Sequence, residues 1–225
     1  MIITKDFYFF RHGQTDWNKK RICQGHTDIA LNDLGRTQAY KLKELFHAQI
    51  EAPEVFYSSD LSRAKETAEI VNEGLGREII LTRNLRETHL GELEGMEITQ
   101  ARERVGTEVW SSFKLGMHSG MDISFPNGES RAEVIDRFKK VIIEILNETE
   151  YSKIGISTHG GAMRNFLHCL VAPQTPELII PNCVVYHVKL NLDKSALSRN
   201  IELIFDLDHY QKFWSVHGPI LNQDS

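Results

Sequence analysis

Cysteine is scarce: Cys23, Cys169 and Cys183 are the only three in 225 residues, and none stands in CxxC spacing. That pattern excludes a disulfide framework and a thiolate zinc site, and leaves free thiols. Basic charge is also short. Lys and Arg number 26 against 31 Asp and Glu, a formal net charge of −5. That balance argues against a non-specific nucleic-acid binder. No apolar run approaches the length of a membrane span, and the N-terminal residues lack the basic-then-apolar order of a secretory leader. No HExxH stretch or ligand-type carboxylate cluster calls for a metal. The expectation is a cytoplasmic protein with no metal, cofactor, membrane or nucleic-acid partner, a monomer or homodimer.

What is present reads as strands alternating with helices, and one domain over residues 1–225 is expected. An aromatic run, Phe7-Tyr8-Phe9-Phe10, has the composition of a buried strand over 5–10. Arg11-His12-Gly13 follows, a cation and an imidazole at a strand end with a glycine to turn the backbone. Residues 15–31 lack periodicity and read as a loop, in which Gln24-Gly25 by itself is a turn with a polar neighbour. Asn32 caps a helix to about Ala48, weakened by Gly35. A second strand, 54–59, leads through Asp60 or Ser62, both possible caps, into a helix over 63–71. There Arg63 faces the helix dipole, as an anion ligand or a surface ion-pair residue.

A third strand covers 78–82. Residues 88–128 are long for a connection and read as a partly helical cap, with helices near 97–105 and 107–115. Its aromatics, Trp110, Phe113 and Phe125 among them, are expected to form the cap's own small core. Val134, Ile135, Phe138, Val141, Ile142, Ile145 and Leu146 follow helical spacing over a long helix to about Glu148, which Ser130 caps. A strand over 153–158 ends at His159-Gly160-Gly161, ahead of a helix over 162–171 in which His168 reads as structural. Strands near 184–188 and 201–205 close the fold, with 193–200 as their turn, and the tail from His217 has no readable structure.

The segment from Arg11 to Asn18 resembles the histidine phosphatase superfamily signature, Arg-His-Gly, then Glu or Gln, Thr, two variable positions and Asn. Matching pieces recur in family order. They are Ser59 with Arg63, Ala64, Thr67 and Ala68; Leu85 and Glu87 with Gly91, Glu94 and Gly95; Gly128-Glu129-Ser130; and His159-Gly160. The resemblance implies an α/β three-layer sandwich, with a mainly parallel central sheet, helices on both faces and a cap insertion at about 88–128. It assigns His12 as nucleophile, Arg11, Arg63 and His159 as its catalytic companions, and Glu87 as proton donor and acceptor, with Glu92 and Glu94 as local competitors. Thr15, Asn18, Gln24, Gly25 and Gly160 become binding candidates.

These residue types suit phosphoryl transfer. The transferring group spreads charge over three oxygens, and guanidinium forks match them. Flanking cations keep the imidazole neutral and able to attack. Its second ring nitrogen is expected to donate to a main-chain carbonyl, which fixes the tautomer. The reading is a metal-independent phosphatase for a small phosphorylated metabolite, of sugar phosphate or phosphoglycerate type. The alternative is a bisphosphoglycerate-dependent mutase. Mutases of the family carry Glu-Arg-His-Tyr-Gly and a cap Arg-Arg pair. Here Glu87 is followed by Thr88-His89-Leu90-Gly91, and the cap cations are Arg102, Arg104 and Lys114. A non-catalytic phospho-binding module or a phosphoprotein phosphatase is a more remote reading.

Overall fold

The computed structural model describes residues 2–48, 50–115, 122–170, 178–193, 203–205 and 213–215. The turn expected at 193–200 lies largely outside them, as does the tail from His217. Seven strands form one sheet: β1 (Ile2–Arg11), β2 (Val55–Ser59), β3 (Ile79–Thr82), β4 (Lys153–Thr158), β5 (Val184–Asp193), β6 (Leu203–Phe205) and β7 (Phe213–Ser215). Their order is β3-β2-β4-β1-β5-β6, with β7 also on β5. β3, β2, β4 and β1 run parallel, and β5 pairs antiparallel with β1, β6 and β7. The α/β class is as expected. β7 falls where no strand was read.

The α-helices of the described residues are α1 (Asp16–Lys20), α2 (Asp33–Ala48), α3 (Ser62–Asn72), α4 (Ile98–Val105), α5 (Thr107–Leu115), α6 (Arg131–Glu148) and α7 (Gly160–His168). Both sheet faces are covered, which is why β1 is aromatic without alternation. Phe7 and Phe9 pack with Phe138 and Phe166 of α6 and α7. Tyr8 and Phe10 pack on the other face with Leu42 and Phe46 of α2 and Val71 of α3. A separate small core of Cys23, Leu93, Ala101 and Phe125, with Trp110 against it, holds the cap. Among the described residues, no helix is long and apolar enough to cross a membrane.

Three local expectations need correction. The loop read over 15–31 begins with α1, five residues long and too short for periodicity to show. Its signal was Thr15 and Asn18, a reciprocal capping box in which each side chain accepts the other's backbone N–H at 3.1 Å. Neither Asp60 nor Ser62 caps α3: the cap position is Leu61, and the first N–H, that of Ser62, goes to Asp28 Oδ1 at 2.8 Å. Asp60 is instead held by both ends of the Arg86 fork. Finally, α7 starts at Gly160 rather than 162, so both glycines belong to its first turn.

Gly35 does not merely weaken α2. A Cβ there would overlap the Gln14 carbonyl, and one at Gly13 would overlap the Gly35 carbonyl. The turn after His12 therefore packs backbone on backbone against α2, and only glycine permits that approach.

Candidate active site

β1, β4 and β2 end side by side. Arg11 pairs with Thr158, and Ser58 with Ser157, so the residues just beyond are delivered to one crevice. His12 follows β1 and is 2% exposed. Its Nδ1 lies 2.6 Å from the Gly13 carbonyl. A carbonyl only accepts, so Nδ1 carries the proton and Nε2 keeps its lone pair. Burial holds the His12 pKa well below the usual range, and the Arg63 and Arg11 guanidiniums add to it. The sequence had pointed to the cations; the larger cause is loss of water.

Arg63, in the first turn of α3, is fully buried. It donates to the Gly25 and Thr27 carbonyls, each at 2.8 Å, and to His159 Nδ1 at 3.2 Å. Burial brings its pKa down to about 10, so it remains a cation at neutral pH. Each terminal nitrogen still has one N–H to give. Arg11 donates to the Ile180 carbonyl at 2.7 Å, while its buried Nε has no hydrogen-bond partner among the described residues.

These side chains line a cavity of about 210 Å³, together with Asn18, Gln24, Gly25 and Glu87. Thr15 does not line it. It is fully buried beneath, and its hydroxyl donates to Gln24 Oε1 at 2.9 Å. Its N–H already holds Asn18 Oδ1. With both carboxamide oxygens occupied, the NH2 groups of Asn18 and Gln24 are left as donors for the cavity. Thr15 thus orients two donors rather than contacting a ligand.

His159 is placed differently from expectation. It is fully buried, its ring centroid 5.1 Å from that of His12, yet it is not in the cavity lining. Nδ1 accepts from Arg63, and Nε2 lies 2.8 Å from Ser59 Oγ. Both nitrogens are engaged, so the ring supports Arg63 instead of offering a donor. Gly160 is also behind the lining: a Cβ there would meet Arg11 Nε at 3.0 Å.

Glu87 lines the cavity from a loop, against the N-terminus of α7. Oε1 accepts the N–H groups of Thr88 and Ala162 at 2.8 and 2.7 Å, and Oε2 accepts that of Gly161 at 2.9 Å. Oε2 therefore retains the more open lone pair. The competitors are occupied elsewhere. Glu94 ties His26 and Thr27 to Leu90 through three main-chain N–H groups. Glu92 pairs with Arg104 outside the cavity. Arg102 does not reach the cavity either, and the Lys114 side chain lies outside the described residues.

Several lining residues were missed. Gly161, Arg164 and Asn165 lie one helical turn apart on α7 and would have followed from starting that helix at Gly160. Thr88 lines the cavity with a buried hydroxyl that has no hydrogen-bond partner among the described residues. Trp110 and Phe125 serve twice, as cap core and as cavity wall.

A buried neutral imidazole between two guanidiniums, facing a carboxyl across a small cavity, defines a site for an anion and a proton transfer. The sequence profile described as the histidine phosphatase superfamily (branch 1) matches residues 7–201, and the chain belongs to that family. It is similar to phosphoglycerate mutase-like protein 4 of Arabidopsis thaliana, with 37% identity over 69% of this chain and 66% of that one. The match thus spans just under two thirds of that relative. A metal-independent phosphoserine phosphatase of the same plant is 31% identical over 80% of this chain and 74% of its own length. Among solved structures, the native mycobacterial glucosyl-3-phosphoglycerate phosphatase superposes with a TM-score of 0.73. It is 26% identical and is covered over 97% of its length and 90% of this chain. At family level, the chain is of the phosphatase or mutase kind.

Proposed function

We propose that this protein is a phosphatase that hydrolyses small phosphomonoesters, of sugar phosphate or phosphoglycerate type, through a phosphohistidine on His12. The observation that carries the reading is the His12 ring itself: proton on Nδ1, lone pair on Nε2, and charging suppressed by burial and two guanidiniums. In the first step, Nε2 attacks phosphorus, the ester P–O bond breaks, and Glu87 gives its proton to the departing alcohol oxygen. Arg11, Arg63 and the NH2 groups of Asn18 and Gln24 take up the charge on the phosphoryl oxygens. In the second, Glu87 takes a proton from the water that displaces His12.

Hydrolysis is favoured over mutase chemistry because, among the described residues, Arg102 and Arg104 stand outside the cavity lining, which removes two of the cap cations that would retain a bisphosphorylated intermediate. The test is turnover of p-nitrophenyl phosphate with no added metal, followed by acid-labile labelling of His12 in a quenched reaction. Absence of label during turnover would sink the phosphohistidine. Interconversion of phosphoglycerates that depends on a bisphosphoglycerate would sink the phosphatase.

A further inference from the structure

Arg137 projects from α6 and its side chain is only 11% exposed. Nη1 donates to the carbonyls of Asn84 at 2.8 Å and Arg86 at 2.7 Å, and Nη2 to that of Glu87 at 2.8 Å. Nε and Nη2 also hold both oxygens of Glu129, at 3.0 and 3.1 Å. Glu129 exchanges hydrogen bonds with the main chain of His89, accepting its N–H and donating to its carbonyl, each at 2.9 Å. One guanidinium and its carboxylate thus fix the backbone on both sides of Glu87. Arg137 itself does not line the cavity.

We infer that Arg137 is a positioning residue for proton transfer, setting where the Glu87 carboxyl stands against the leaving oxygen. The inference rests on the acid role proposed for Glu87. Three facts separate it from a plain packing role. α6 is already anchored by Val134, Ile135, Phe138 and Val141 in the core. The backbone that Arg137 holds runs from a single 3-10 turn, Arg83–Leu85, into a loop at Arg86 and Glu87. The planar fork uses five N–H donors at once, on three carbonyls and both oxygens of Glu129, where an ammonium has three. A displacement near 1 Å at a reacting group costs roughly 10²-fold in rate.

The leaving group supplies the test. When the P–O bond breaks, an alkoxide must be protonated, whereas a nitrophenolate departs without a proton. The ratio of kcat/KM for an alkyl phosphate to that for p-nitrophenyl phosphate therefore reads the acid alone. Glu87→Gln should lower the alkyl value by about 10²–10⁴-fold and the nitrophenyl value far less. Arg137→Met should lower the ratio by about 10-fold or more, and Arg137→Lys should fall between. Adding Arg137→Met to Glu87→Gln should cost the alkyl substrate nothing further, because both changes remove one function.

Equal losses on both substrates, or a full additional loss in the double variant, would overturn the positioning role. An unselective Glu87→Gln would overturn the acid assignment as well. Should Arg137→Met fail to fold, Arg137→Lys and Glu129→Gln decide by the same ratio.

Discussion

The floor of the cavity and its wall are held by different forces. Arg11 and His12 stand at the end of β1, Arg63 opens α3 just after β2, and His159 follows β4 behind them; hydrogen bonds to main-chain carbonyls and to Ser59 fix them. Glu87, Thr88 and Leu90 stand on the loop between β3 and the cap, and ion pairs and carboxylates reaching across the chain fix them. Glu94 ties that loop to residues 26 and 27, and Arg137 ties it to α6. The floor follows from topology. The wall follows from a few long-range polar contacts, so single changes should loosen it without loosening the floor.

The largest expected effect belongs to the floor. His12→Ala should reduce turnover by at least about 10³-fold, because the residual comes only from binding and charge stabilisation. The circular dichroism spectrum should be unchanged. Activity above one-tenth of the parent would place the nucleophile elsewhere.

Next comes acid sensitivity. His12 and His159 are both kept neutral, by burial first and by Arg63 second. In the unfolded chain they take up protons near pH 6.5, but in the folded chain only well below that. The unfolded state therefore binds more protons as the pH falls below 6.5. Stability conferred by the neutral rings is intact above that pH and is lost beneath it, with a slope of at most about 1.4 kcal/mol per pH unit for each ring. Urea midpoints between about pH 7.5 and 5 measure it. Replacing either floor histidine with Asn should flatten the slope. Replacing His26, which meets the wall loop at the Glu87 carbonyl and whose side chain is 25% exposed, should flatten it less. Equal flattening would erase the difference between the two regions.

How much of this was legible in the sequence divides along the same line. Arg11 and His12 could be read because an aromatic strand points at them, and Arg63 because it opens a helix after a strand. The spacing of Thr15 and Asn18 was visible too, although their capping box was not read as a helix. The role of Asp28 at the start of α3 could not be seen, since it depends on chain folded from 34 residues away. Arg137 lies 50 residues from the Glu87 carbonyl it holds and looked like any cation on a helix. Periodicity reports which face of an element is buried. It carries no information about which loop a buried charge will clamp.

Two glycine changes sharpen the comparison. Gly35→Ala places a Cβ on the Gln14 backbone, which cannot move aside without shifting the turn that carries His12. Helix propensity would gain about 1 kcal/mol, and overpacking would cost about 1–3, so thermal stability and turnover should fall together. At Gly161→Ala the nearest atoms to the new Cβ are those of the Glu87 carboxylate, with Oε1 at 2.8 Å. That side chain can yield, so turnover of alkyl phosphates should fall with little change in melting temperature.

Trp110→Ala should have the smallest effect and the most selective one. The indole stacks on Phe125, with centroids 5.9 Å apart, and lines the cavity. On the proposed reading, it should meet the organic part of a substrate rather than the phosphoryl group. Loss of a large apolar side chain from a contact is worth up to about 1.5–3 kcal/mol when burial is complete. Burial here is partial, so KM should rise by about 5- to 20-fold, about 1–1.8 kcal/mol, which lies below or at the foot of that range. Competitive inhibition by inorganic phosphate should be unchanged, because phosphate meets only Arg11, Arg63 and their neighbours. If the phosphate inhibition constant moved in step with KM, the wall would be shaping the floor, and the separation of the two would fail.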